Sequence, residues 1–427
     1  MNERRGAFGH VLRNESRHIF KCALTFDLSG PEGVRLKGMR RDFPPSGDGD
    51  EAPRLVVFEV INLQPMKRGS PIDKVIREGA VRVGVDLAKH VIQVHAVDAL
   101  GRVLTSRALP RAKFVEWCVQ LSTGCIVAME ASSSAHHWAR KLIGFGLDAR
   151  IISAQLVSPY RSQGGTGKND ANDAAAICEA ASRPTMRFIP VKSIEQQSML
   201  CVHRLREGIK EDRTACINRI RGLLAEFGLV FPQGARELQG VLSAVLEDAT
   251  NELGTLARLT LQRAQSQWHE LDAHLAWCDE RIAAHGQHNE AVKAAASLLG
   301  VGPVTASAVV ATVGDFKQFK SGAQFGAWIG LTPRQHSSGG KSNLGGITKR
   351  GDTYLRTLLI QGAKSAVMTA HRRTDKISQW AVALRERSGW QKAVVALANK
   401  NARILWAVMT KGEAFDANHL SVKPAGA

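Results

Sequence analysis

Four carboxylates and a pair of serines in a glycine-rich stretch are the residues of this chain whose types and spacing could do chemistry. In "GKNDANDAAAI", Asp170 and Asp173 stand three residues apart at the head of an alanine-rich helical segment. On a helix that spacing puts both on one face, roughly 5–6 Å apart, where they repel unless something positive lies between them. Asp86 closes the apolar alternation of "VRVGVD", and Glu130 ends the short buried run "CIVAME". If those two segments are neighbouring strands, both acids emerge at one sheet edge, and the helix carrying Asp170 packs across it. Four converging carboxylates would hold hard divalent cations, Mg²⁺ or Mn²⁺, through oxygen ligands. Two such ions, roughly 3.5–4 Å apart, suit strand cleavage at a phosphodiester. One acid after a strand is weak evidence, since it is often only a cap. Four in these places favour a metal site.

The second candidate is "QHSSGGKSNLGGITKRGD", which carries five of the 39 glycines and cannot be a helix interior. Arg334, Lys341, Lys349, Arg350 and Arg356 could surround a phosphate there, with Ser337 or Ser338 as nucleophile. A DNA-binding loop with no nucleophile fits the same composition. "GGTGK" before Asp170 is not a phosphate-binding P-loop, because that pattern needs a glycine and a hydroxyl where Ser162 and Asn169 stand. Lys168 then reads as a cation near bound phosphate. "LLGVGPVTASAVVATVGD" resembles a helix-hairpin-helix: Gly300 and Gly302 would let backbone approach a phosphate ahead of a helix N-terminus. A tight turn between two helices is the plainer alternative. His136 and His137 follow Glu130 at a helix start, where surface or packing roles outweigh metal ligation.

The elements that must position these groups follow from periodicity. From Val81, period-two alternation broken at "LAKH" and "DALGR" predicts a three-strand antiparallel meander. Helix "AKFVEWCVQL", strand "CIVAME", helix "HHWARKLIGFG", strand "ARIIS" and the Asp170 helix come next. That order predicts an RNase H-like α/β domain with a mixed sheet over 78–190. Over 191–290, apolar residues at threes and fours predict two long helices in an antiparallel, coiled-coil-like hairpin. The cations Arg204, Arg206, Arg213, Arg219 and Arg221 lie largely between the apolar positions, as solvated surface or as a phosphate-contacting strip. Residues 291–427 read as an all-helical C-terminal domain interrupted by the glycine-rich loop. Residues 1–77, with turn-formers such as "RRDFPPSGDGDEAPR", read as a poorly ordered extension, with Met66 as an alternative start.

Bulk properties narrow the partners. A chain of 427 residues is too long for one ordinary domain. Lys and Arg number 57 against 39 Asp and Glu, a net charge of +18, with a pI near 9.9. Such an excess points to a polyanion, nucleic acid first. No apolar run reaches the roughly 20 residues of a membrane helix, and no signal-peptide core is present, so a cytoplasmic protein without membrane contact is expected. Seven cysteines without a C-x-x-C pair read as reduced core thiols.

Taken together, "GVDLAK", "AMEASSSAHHWA", "KNDANDAAAI", "HRLREGIKEDRTACINRIRGLLAEFG", "LLGVGPVTASAVVA" and "GLTPRQHSSGGKSNLGGITKRGDTYLRTLLI" resemble the DEDD transposases of the insertion-sequence 110 family, 1111 subgroup. The likeness runs from about Val81 to the end. It implies a RuvC-like nuclease domain whose acids fall on Asp86, Glu130, Asp170 and Asp173. It also implies a C-terminal transposase domain with a serine that links covalently to DNA; that serine precedes a glycine, which selects Ser338, with Ser337 beside it. Family membership further implies a homo-oligomer acting on element ends and target DNA, guided by a structured RNA. A RuvC-type junction nuclease would explain the acids but leave the serines unused. A non-catalytic nucleic-acid-binding protein would explain little beyond the charge.

Overall fold

The computed structural model describes residues 76–161, 169–336 and 343–419. The extension expected over 1–77 lies almost entirely outside the described residues.

The meander forms as β1 (Arg82–Leu87), β2 (Val91–Val97) and β3 (Val103–Pro110). Then follow α1 (Arg111–Cys118), β4 (Ile126–Glu130), α2 (Ala135–Gly144), β5 (Asp148–Ile152), the short α3 (Ala154–Val157), α4 (Asp170–Ala181) and β6 (Phe188–Ile189). The sheet order is β3-β2-β1-β4-β5-β6. The β1–β4 and β4–β5 pairs are parallel; the others are antiparallel. This is a mixed sheet of the RNase H-like kind.

Strand alternation decides which face does what. Val83, Val85, Val127 and Met129 point to one face, buried with Phe114, Trp117, Trp138 and Leu142 of α1 and α2. Gly84, Asp86, Ala128 and Glu130 take the other face, where Ala128 packs with Ile177 and Ala180 of α4. Gly84 permits unusually close approach there. An added Cβ would stand 2.5 Å from the Cys178 nitrogen and nearer still to the Ala174 carbonyl oxygen. Small residues on this face therefore bring the head of α4 onto the ends of β1 and β4.

Two long helices follow, α5 (Ile194–Ala225) and α7 (Thr255–His288). Between them lies α6 (Ala235–Glu247), which the apolar spacing had not suggested. Arg206 bonds Asp279 at 2.5 Å, and Arg213 pairs with Asp272. Rising numbers on one helix meet falling numbers on the other, so α5 and α7 run antiparallel. Trp268, Ile220, Leu224 and Leu238 fill the core between the three helices.

The last part contains α8 (Glu290–Ala296), α9 (Pro303–Val313), α10 (Gly322–Ile329), α11 (Thr353–Thr369), α12 (Lys376–Ser388) and α13 (Trp390–Lys411) around Phe325, Leu359, Leu397 and Leu405. It is not all helix: β7 (Pro333–Gln335) and β8 (Leu344–Ile347) make an antiparallel ribbon flanking the serine stretch. The ribbon escaped notice because neither strand has a buried face to impose alternation. The hairpin is joined to this part by a buried chain of hydrogen bonds. His203 of α5 meets the Tyr354 hydroxyl at 3.0 Å and the Ser307 hydroxyl at 2.9 Å, and His285 of α7 meets Ser307 at 2.8 Å.

Candidate active site

Asp86 lies one position past Val85, whose parallel partner on β4 is Met129; Glu130 follows Met129. The two acids therefore leave adjacent strands on the α4 face. Asp170 and Asp173 occupy the first turn of α4, whose start is fixed by Asn169, its side chain accepting the Ala171 N–H at 3.0 Å. A helix N-terminus is a favourable place for negative charge. Arg161, at the end of the turn Ser158–Tyr160, reaches into the group. Its Nη2 donates to Glu130 Oε2 and its Nε to Asp173 Oδ1, both at 2.7 Å.

The electrostatics record the crowding. Burial, then the charges of Asp170, Asp173 and Glu130, raise the pKa of Asp86, against the lowering pull of Arg161. Burial works against the charged form of Arg161, but its bond to Asp173 and the surrounding acids more than offset that. Among the described residues no three acids form a ready-made cation cage. The chemistry of the group nevertheless suits a hard divalent ion: every donor is oxygen, and Arg161 bonds Glu130 and Asp173 and feels the charge of Asp86, while Asp170 adds its charge beside Asp86.

The second candidate region divides. Ser337, Ser338, Lys341 and Lys168 lie outside the described residues. Around them, the His336 N–H donates to the Asn343 carbonyl at 2.9 Å and the Thr348 N–H to the Thr332 carbonyl at 2.9 Å, closing the base of the ribbon. Pro333, Arg334, Gln335, His336, Thr348 and Arg350 line an open cavity of about 540 Å³. Lys349 is exposed nearby. Arg334, His336 and Arg350 have no acid partner among the described residues.

Several cations read as nucleic-acid contacts have other work. Arg356, only 7% exposed, donates to the Ile329 and Arg350 carbonyls and to Thr353 Oγ1, bracing the turn into α11. Arg206 and Arg213 pair with acids of α7, and Arg221 donates to the Gln233 and Gly234 carbonyls. Arg204 and Arg219 are exposed. Gly300, at φ +80°, abuts Gly362 of α11, where a Cβ would stand 2.7 Å from the Gly362 carbonyl oxygen. Helix packing thus accounts for this glycine, while Gly302 caps α9 facing open space. His136 accepts the Lys192 N–H at 3.2 Å; burial and then Lys192, Arg140 and Arg204 push its pKa down to about 4. It is a packing histidine. Arg161 is the site residue that sequence reasoning missed, because an arginine in an aperiodic turn carries no signal of its distant partners.

Relatives support the same grouping of elements. A DEDD transposase family model, described as "Transposase", matches residues 83–229. A second, described as "Transposase IS116/IS110/IS902 family", matches 292–379. The chain is 46% identical over 331 residues to a Pseudomonas aeruginosa protein named "Probable family 20 transposase", covering 77% of this chain and 97% of the relative. It is 43% identical over 333 residues to the transposase for insertion sequence element IS1111A of Coxiella burnetii, covering 78% and 90%. The transposase for insertion sequence element IS1328 of Yersinia enterocolitica is 34% identical over 333 residues, covering 78% and 98%. With the sheet, the acid-bearing helix and both matched regions in one chain, this protein belongs to the IS116/IS110/IS902 family of insertion-sequence DNA transposases.

Proposed function

We propose that this transposase cuts and rejoins DNA strands with two sets of groups, the four acids of a RuvC-like unit over 78–190 and a serine of the unit over 291–427. The reading is supported by the charges of Glu130, Asp170 and Asp173 acting together on Asp86, with Arg161 bonded to Glu130 and Asp173. Those acids would hold Mg²⁺ or Mn²⁺, two ions in the full site, which when bound supplies Lewis acidity to phosphate oxygens. Ser338, with Ser337 as the alternative, attacks phosphorus: a serine O–P bond forms as a deoxyribose O–P bond breaks. The serine gives up its proton and the released deoxyribose oxygen gains one. Arg334 and Arg350, across the ribbon cavity, take the phosphate's negative charge. The helix α8–turn–α9 segment with Gly302 and the exposed Arg204 and Arg219 serve as backbone contacts, and several copies act together, on the family likeness alone. A guide RNA rests on the family likeness alone.

The test traps protein–DNA adducts on DNA carrying the element's ends. The adduct is expected to vanish in Ser338→Ala and persist in Ser337→Ala. Metal-dependent nicking that survives loss of both serines would instead establish a plain nuclease. Strand cleavage unaffected by Asp86→Asn and Asp173→Asn would leave only nucleic-acid binding.

A further inference from the structure

Among the described residues, Arg161 is the cation that enters the acidic group, and its position is specific. It joins the end of β4 to the first turn of α4 through two separate 2.7 Å bonds, one per carboxylate. The Glu130 and Asp173 side chains are 21% and 14% exposed, whereas that of Arg161 is 38% exposed. The guanidinium therefore enters from the solvent side and covers oxygens that would otherwise face one another. Like charges so placed repel, and without Arg161 the strand end and helix head would have no counter-charge among the described residues.

A divalent ion at this site needs the same oxygens. It cannot share them with a guanidinium, because the two cations repel across a few ångströms in a partly desolvated place. We infer that Arg161 is a built-in counter-cation that clamps Glu130 and Asp173 in the metal-free chain and must release them for a divalent ion to enter. This rests on the metal-binding reading of the four acids proposed above. Metal loading is then an exchange of one cation for another. The acids stay in register while metal is absent, and affinity for the ion is reduced by the work of displacing the arginine. Arg161 is a positioning residue in this account.

The test uses the full chain, Mn²⁺ as probe and no DNA. Free Mn²⁺ is titrated by electron paramagnetic resonance, and thermal midpoints are measured in chelator and in saturating Mn²⁺. Arg161→Gln is expected to bind Mn²⁺ more tightly, on the order of tenfold, the scale on which one neighbouring charge moves a carboxylate's equilibria. The same variant is expected to melt below wild type in chelator and to recover most of that deficit in Mn²⁺. Arg161→Lys keeps the charge but lacks the two-pronged geometry, and is expected to fall between. An arginine that merely supports the fold would lower the midpoint equally in both conditions and leave affinity unchanged or weaker. That result, with wild-type binding abolished by Asp86→Asn, would overturn the counter-cation role and keep the metal site. Wild type that takes up no more Mn²⁺ than an Asp86→Asn, Asp173→Asn double variant would overturn both.

Discussion

Asp86 is ionised at a cost. Its pKa is raised by burial first and by its three acidic neighbours next, so its folded value lies above its unfolded one. Such a group contributes stability at acid pH that is lost as pH rises through the folded value. Asp86→Asn is therefore expected to abolish strand cleavage while raising the melting temperature of the metal-free protein at neutral pH, measured by scanning calorimetry. His203 behaves oppositely. Burial, then Arg206 and His285, press its pKa from 6.5 to about 4. The stability it contributes is present above pH 6.5 and is lost as pH falls through about 4. His203→Phe is expected to flatten that part of the stability–pH curve and to cost about 1–3 kcal/mol, the penalty of leaving Tyr354 and Ser307 short of a buried partner. At this scale the acids could be read from the sequence because strand ends and helix starts announce themselves. Arg161 could not, its partners being 12 and 31 residues away. The bracing role of Arg356 is equally hidden, because the chain does not reveal which guanidinium will be needed to hold a turn.

Elements bring the acids together through small residues at their contacts. Gly84→Ala is expected to push α4 off β1, destabilising the fold by about 1–3 kcal/mol as overpacked cores do. Urea denaturation would show the loss, and weaker Mn²⁺ binding would show that the acids had separated. The meander, both parallel strands and the two long helices were legible, since each has a buried face that imposes a period of two or 3.6. The two-residue β6, the exposed ribbon β7–β8 and α6 were not. The first is too short for a period, the second has no core-facing side, and α6 was hidden by the turn-formers around it.

The net charge of +18 belongs to the whole molecule, yet its use is uneven. Several arginines of α5 are spent on α7 or on backbone carbonyls, so charge counting overstates the surface open to phosphate. Nucleic-acid affinity is expected to fall linearly on logarithmic axes with salt. Arg334→Ala and Arg350→Ala should each lessen the slope by about one unit. Arg356→Ala should leave the slope unchanged and lower the melting temperature instead. Fluorescence anisotropy across a salt series would separate the three.

The His203–Ser307–His285 weld sits near one end of the hairpin. Beyond it, α5 continues for 22 residues to Ala225, roughly 33 Å at helical rise. The hairpin is thus a lever whose fulcrum is this set of buried hydroxyl and imidazole groups together with the packing of α9 against α5 and α7. A tilt of about 10° there would swing the far tip by roughly 6 Å, more than one helical turn. Small rearrangements at the foot of α11, where Tyr354 meets His203, would be felt as large excursions at the far tip of the hairpin.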